Sequence, residues 1–296
     1  MAQGLPAVLP LLPGLVLPRR RPSWQQAPPV VVRAEGVRLD PSHLERFLGV
    51  VGGIDPPAVA LTFPYVVAAP LHVAVVSHPD FPLPPLGLVH VRERIRRWRT
   101  LAVGTRVDLE ARTEAFREVP SGVAFDLVTT MTQDGQRVWD SRTQALWRTG
   151  GTGRGGQAGV PAVATGAVLP LPVPRGAGRS YGLVAGNLDP IHVSRWTAMP
   201  FGFSRAVVHG MWTVGRCVAE LGDPLGPASV LVRFRTPLPA PSQARLVARP
   251  GPPHDGGGLE LAVWGAGHRR PVLEGRLVPA VVGDDDLRHA VAVEEA

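Results

Sequence analysis

Two imidazoles, an amide and a carboxylate, His192, His209, Asn187 and Asp189, fall within one stretch, Tyr181 to Glu220, that otherwise reads largely apolar. Polar groups of this kind are costly to bury unless they are hydrogen-bonded or used. Asn187, Asp189 and Pro190 favour turns and helix starts: Pro190 has no N–H to lose at a first helical position, and Asp189 stands ahead of it as N-cap. His192 then falls in the first turn of a short helix that runs toward Met199 and breaks at Pro200, Gly202 and the Phe201/Phe203 pair. A second helix is predicted from His209-Gly210-Met211, with an apolar face through Met211, Val214, Val218 and Leu221 and a stop at Gly222-Asp223-Pro224. Both polar clusters therefore sit at helix N-termini, whose unpaired N–H groups and partial positive charge suit a developing oxyanion. A histidine in that setting suits general acid/base chemistry.

In order and at matching spacing, Tyr181, Gly186, Pro190, Ile191, His192, Ala198, Gly202, Phe203, His209, Gly210 and Met211 resemble the signature of the MaoC-like dehydratases, the (R)-specific enoyl-CoA hydratase family. The resemblance implies a catalytic group at His192, Asn187 and Asp189, with Gly186, Phe203, His209, Gly210 and Met211 around the substrate and its oxyanion. In the family an Asp follows the glycine and an Asn stands two residues further on; here these are Asn187 and Asp189, as though exchanged. The family Asp and His hold and activate one water for syn addition to a trans-2-enoyl thioester, or drive the reverse dehydration. Asn187 can orient that water but cannot accept its proton, which leaves His192 as the ordinary base of the motif.

The activity implied is reversible hydration of trans-2-enoyl thioesters and dehydration of (3R)-hydroxyacyl thioesters, carried on CoA or acyl carrier protein, in fatty-acid or polyketide-type lipid metabolism. Two alternatives stay open: a catalytically weak or inactive subunit that binds acyl thioesters, and an acyl-CoA thioesterase. No cofactor is expected, and His192 with His209 lacks a third ligand at metal spacing. Each residue also has a structural reading. Asp189 serves as a cap, Gly210 lets its helix pack closely, and Tyr181, Trp196 and Trp212 fill the core.

The elements that must position these groups form a repeat. Gly52-Gly53-Ile54-Asp55-Pro56-Pro57 parallels Gly186-Asn187-Leu188-Asp189-Pro190-Ile191, and Ala69-Pro70-Leu71-His72-Val73 takes the place of His209 to Thr213. Ahead of the first of these, Asp40-Pro41 starts a helix that ends at Gly52-Gly53. Strand-like segments follow in each half: Leu88 to Ile95, Arg106 to Glu118, Gly122 to Gln133 and Arg137 to Arg148, then Ser229 to Arg235, Ala244 to Ala248, Gly258 to Gly265 and Val272 to Val278. Val107, Leu109 and Ala111 alternate with Arg106, Asp108 and Glu110, the period of a half-buried strand. The fold class is α+β; the resemblance implies a double hot dog, two repeats each with a curved antiparallel sheet around a central helix. Gly53 stands where the second repeat has Asn187 and Ala58 where it has His192, so by analogy the first repeat is degenerate and forms the acyl tunnel.

The expected organisation is a Pro-rich extension over 1–30, a first repeat over 31–148, a Gly/Pro-rich linker over 149–180, a second repeat over 181–282 and an acidic tail over 283–296. The formal net charge of +7 comes from Arg without Lys, spread along the chain; no nucleic-acid motif accompanies it, and none is expected as partner. Arg suits the phosphates of CoA or a phosphopantetheine arm. Arg19-Arg20-Arg21 follows the N-terminal apolar run, and prolines interrupt that run, so neither a secretory signal nor an integral membrane segment is expected. The single Cys217 reads as a small buried hydrophobe in a cytoplasmic protein, and a homodimer or heterodimer is expected by analogy.

Overall fold

A computed structural model describes residues 5–6, 21–53, 58–149, 165–252 and 257–283. The first half comprises β1 (Val31–Arg38), α1 (Pro41–Val51), α2 (Phe63–Ser77), β2 (Leu88–Arg97), β3 (Arg106–Val119), β4 (Gly122–Gln133) and β5 (Gln136–Arg148). The second comprises β6 (Ala167–Val173), α3 (Ala177–Ala185), α4 (Pro190–Val193), α5 (Arg195–Ala198), a 3-10 turn (Met199–Phe201) and α6 (Gly210–Leu221). Its strands β7 (Ala228–Phe234), β8 (Ser242–Pro250), β9 (Leu259–Gly265) and β10 (Leu273–Val278) follow.

The strands form one sheet ordered β1-β3-β4-β5-β2-β7-β10-β9-β8-β6. Read outward from the β2–β7 seam, both halves give the same sequence of strands, so the internal repeat of the sequence is a repeat of topology. The seam is antiparallel, pairing Arg92 with Arg233 through to Arg97 with Ala228. The alternation expected for β3 holds: Val107, Leu109 and Ala111 are buried, their neighbours less so. At the opening of each half the helix ends in a left-handed glycine, Gly52 (φ 68°) after α1 and Gly186 (φ 67°) after α3, a conformation that side chains with a Cβ resist.

Two local expectations give way. The Gly/Pro-rich linker over 149–180 falls partly outside the described residues, and its described remainder from Ala167 is β6 and the start of α3. Leu171 and Val173 face the core while Pro170 and Pro172 face outward, and among the described residues β6 pairs only with β8. Prolines are tolerated there because an edge strand has one side whose N–H groups need no ladder partner. The second is the counterpart of the His209–Gly210 start. It is not at Ala69–Pro70: α2 begins at Phe63, with Pro64 in its first turn, and runs through Pro70. Burial of Val66, Val67, Ala68, Leu71, Ala74 and Val75 offsets the hydrogen bond that Pro70 removes.

The helices of the two halves pack on each other and on the sheet in one core that includes Phe47, Phe63, Leu71, Leu109, Phe125, Met211, Val214 and Leu246. Trp212 Nε1 donates to the Val50 carbonyl at 3.0 Å, and Arg216 donates to that of Val51 at 3.0 Å, tying α6 to α1. A Cβ at Gly215 would lie 2.9 Å from Val51 Cγ1, so this glycine sets how closely the helices approach. Cys217 is buried among them, its thiol pushed up to about 12 by burial.

Candidate active site

The loop after α3 is built from short-range hydrogen bonds. Asn187 N–H donates to the Gly182 carbonyl at 2.9 Å, and Asn187 Oδ1 accepts from the Asp189 N–H at 3.3 Å. Asp189 accepts the Ile191 N–H on its carboxylate at 3.2 Å and so caps α4, with Pro190 in the first turn. Ser194 and Thr197 then form a reciprocal capping box that redirects the chain into α5. Gly202, at φ 85°, turns it back, and Val207 N–H donates to the Ile191 carbonyl at 3.0 Å. The result returns the chain past His192 to His209, the N-cap residue of α6.

The two imidazoles stack with ring centroids 3.6 Å apart and planes inclined by 27°. His192 Nδ1 lies 2.8 Å from the Val207 carbonyl. A carbonyl only accepts, so Nδ1 carries the hydrogen and the neutral ring keeps its lone pair at Nε2. Burial holds this imidazole below the ordinary histidine pKa, against the Val207 carbonyl and the Asp189 carboxylate, which favour the cation. His209 is buried; its Nε2 donates to the Asn187 carbonyl at 3.2 Å. Burial, then the neighbouring His192, hold it well below the ordinary value. Tyr181 is buried against His209, centroids 5.1 Å apart, and its hydroxyl is held above its ordinary pKa by burial.

The His209 carbonyl accepts the Trp212 N–H at 3.1 Å, so the hydrogen-bond ladder of α6 begins there and the N–H groups of Gly210 and Met211 lie ahead of its first rung. A Cβ at Gly210 would stand 2.6 Å from the Phe234 ring, which gives close packing as one reason for glycine. Sequence reading missed two further glycines. A Cβ at Gly178 would lie 2.6 Å from the His192 carbonyl oxygen and 2.7 Å from that of Val207; one at Gly182 would lie 2.5 Å from that of Asn187. Their spacing of four along α3 puts both on the face that meets the histidine loop, and that small-residue stripe was the available signal.

Of the residues singled out in the sequence, the fold brings His192, His209, Asp189, Tyr181 and the Gly210 end of α6 together, with Asn187 joining through its main-chain carbonyl while the residue itself is exposed. Gly186 ends the helix that leads into the group, Phe203 is half-buried after the 3-10 turn, and Met211 turns into the core. Trp212 fills the core as expected, but Trp196 does not: it is 74% exposed, with the Arg195 guanidinium 5.3 Å from its ring. A surface concavity of about 360 Å³ lined by Trp24, Glu114 and Phe116 lies in the first half and shares no residue with this site. Chemically, the arrangement offers one oriented neutral base at His192 Nε2, an amide and a carboxylate two residues apart, and a helix N-terminus that can receive a negative oxygen.

Residues 161–243 match the family described as MaoC like domain. Over 245 residues, 80% of this chain and 85% of the relative, the chain is 29% identical to 3-hydroxyacyl-thioester dehydratase X of Mycobacterium tuberculosis. The crystal structure of HtdX from that organism superposes with a TM-score of 0.71 at 27% identity, covering 85% of this chain and 100% of that one. A MaoC-like dehydratase from Phytophthora capsici superposes with a TM-score of 0.65 at 14% identity, covering 89% of this chain and 98% of that one, a likeness of fold.

Proposed function

We propose that this chain interconverts trans-2-enoyl and (3R)-hydroxyacyl thioesters by adding or removing water; its twofold strand order and the match of residues 161–243 to the MaoC like domain support the reading. The observation that carries the reading is the oriented, neutral His192, with Nδ1–H fixed on the Val207 carbonyl and Nε2 left as base beside the α6 N-terminus.

In hydration, the thioester carbonyl lies at the Gly210 N–H and a water is held by the Asn187 amide. His192 Nε2 takes a proton from that water as its oxygen bonds to C3, and the electron pair of the double bond moves onto C2 and the carbonyl oxygen. The α6 N-terminus stabilises that enolate, and the imidazolium returns its proton to C2 on the same face. Dehydration runs these steps backward: Nε2 removes the C2 proton and protonates the leaving C3 hydroxyl. Asp189 caps α4 and supplies a negative field that steadies the transient imidazolium. His209 holds the Asn187 main chain and the stacked His192 ring in place. The thioester is carried on CoA or on an acyl carrier protein, and the chain works as a dimer in the cytoplasm. Among the described residues no helix is long and apolar enough to cross a membrane.

The test follows loss of enoyl absorbance with crotonyl-CoA and a longer trans-2-enoyl-CoA. Turnover in the wild type that His192→Ala abolishes is expected. Asn187 where the family carries Asp favours a second reading, an acyl-thioester binder of low or no activity; tight binding without turnover on any chain length selects it. Release of free thiol selects a thioesterase.

A further inference from the structure

The first half contains a polar cluster that the hydration chemistry does not use. α2 carries Tyr65 and His72 seven residues apart, hence on one face, and that face meets polar residues of the sheet where an apolar core is the rule. His72 Nε2 lies 2.8 Å from Thr129 Oγ1 on β4. The Tyr65 ring packs edge-on to His72 with centroids 5.0 Å apart and stacks on His90 of β2 with centroids 6.3 Å apart. At the floor stands Glu93 of β2, its side chain fully buried. Glu93 Oε2 accepts from Thr143 Oγ1 at 2.5 Å and from His90 Nε2 at 3.0 Å. Its other oxygen, Oε1, is equally buried and accepts no hydrogen bond among the described residues. Tyr65, His72 and His90 nonetheless retain partial solvent access, so the cluster is not sealed from outside.

This cluster adjoins the candidate active site on two sides. The Phe234 ring lies 4.5 Å from that of His90 and also packs against Gly210 at the head of α6. Tyr181, in ring contact with His209, also feels the charge of Glu93. A chain anchored by its thioester at Gly210 therefore has the cluster within the same interior. A plain alkyl chain there would leave Glu93 Oε1 without a partner in a low-dielectric setting, which is unfavourable. A hydroxyl would satisfy it.

We propose that the space between α2 and the sheet receives the distal part of the acyl chain, and that Glu93 Oε1 accepts a hydrogen bond from a hydroxyl on that chain, so that hydroxylated acyl thioesters are selected over plain alkyl ones. The location of the thioester end rests on the dehydratase reading; the specificity is a separate claim. A site built to bond a hydroxyl discriminates strongly against the analogue that lacks it.

The experiment measures binding of the full chain by calorimetry to decanoyl-CoA and to a series of decanoyl-CoA probes bearing one hydroxyl at successive carbons of the distal half. These saturated thioesters cannot be hydrated, so affinity is read without turnover. At least one hydroxylated probe is expected to bind about tenfold or more tightly than decanoyl-CoA. Glu93→Leu should bring that ratio to about one, and Glu93→Gln, which keeps the shape, should lower it; a ratio is insensitive to a partly unfolded preparation. No hydroxylated probe binding better than decanoyl-CoA, or a ratio unmoved in both variants, overturns the proposal. Enoyl turnover without hydroxyl preference removes the specificity alone, whereas hydroxyl preference without turnover removes the dehydratase reading alone.

Discussion

Replacing Gly178 by Ala adds one methyl to α3 at a point where the backbone is already helical. Helix propensity alone favours the change by up to ~1 kcal/mol. The new Cβ, however, would lie 2.6 Å from the His192 carbonyl oxygen and 2.7 Å from that of Val207, against an ordinary contact of 3.4 Å or more. Both neighbours are backbone and cannot rotate away. Either α3 or the histidine loop must retreat by several tenths of an ångström, and overpacking of this kind costs about 1–3 kcal/mol. The net expectation is a loss of about 1–2 kcal/mol in a urea titration. The Val207 oxygen is also the acceptor that orients His192, 2.8 Å from its Nδ1, so the displacement reaches the base. A misplacement approaching 1 Å costs on the order of a hundredfold, and a tenfold to hundredfold fall in kcat on crotonyl-CoA is expected with KM changing less. Gly178→Ala that matches the wild type in both stability and kcat would refute the argument that this glycine sets the base.

Other expectations follow from the same geometry. Asn187→Asp keeps an acceptor for the Asp189 N–H and puts a carboxylate in the loop that leads to His192, so turnover of enoyl-CoA should rise; an unchanged or lower rate counts against Asn187 as the attenuating residue. Trp212→Phe deletes the donor to the Val50 carbonyl and should lower stability by about 1–2 kcal/mol, read from the denaturation midpoint. Asp223→Ala removes the counter-charge of the buried Arg97 guanidinium, 3.0 Å away, and leaves it the carbonyls of Val59, Pro224 and Gly226, at a cost of about 3–5 kcal/mol. His72, held at about 3 by burial, and His192 and His209, also depressed by burial, are neutral in the fold but titrate near 6.5 when unfolded. Their contribution is complete above that unfolded value and is lost as pH falls below it, by up to about 1.4 kcal/mol per histidine per pH unit. Urea midpoints should therefore drop between pH 7.5 and 5, and a flat profile would contradict the burial of these rings.

Most of the strands were legible because their signal is local. Val107, Leu109 and Ala111 must share a face, and the fold buries all three. The helix caps were legible for the same reason: Asp40 accepts the His43 N–H and Asp189 that of Ile191, each within three residues. β6 was hidden because Pro170 and Pro172 argue against a strand anywhere but at an edge, and edge position is a property of the whole sheet. The repeat alignment set Ala69–Pro70 opposite the His209–Gly210 start; only the extensive burial of α2 explains a proline in its interior. At the candidate site, the motif named His192 and His209, but not that their rings stack or that Val207 supplies the orienting carbonyl. The polar stripe of Tyr65 and His72 was unreadable because its partners, Glu93, Thr129 and Thr143, come from three separate strands.

A sheet that reads the same in both directions from its seam has the form of a dimer whose two members happen to be one molecule. In a pair of identical chains every substitution is made twice, and a residue suited to one side is imposed on the other. Joined in a single chain, the halves are released from that constraint: in the sequence Gly53 and Ala58 align with Asn187 and His192, and Glu93 with its neighbours belongs to the first half. The stoichiometry follows from that asymmetry. If only the second half keeps a working end, a thioester titration should saturate at one equivalent per chain, and saturation at two would count against that asymmetry.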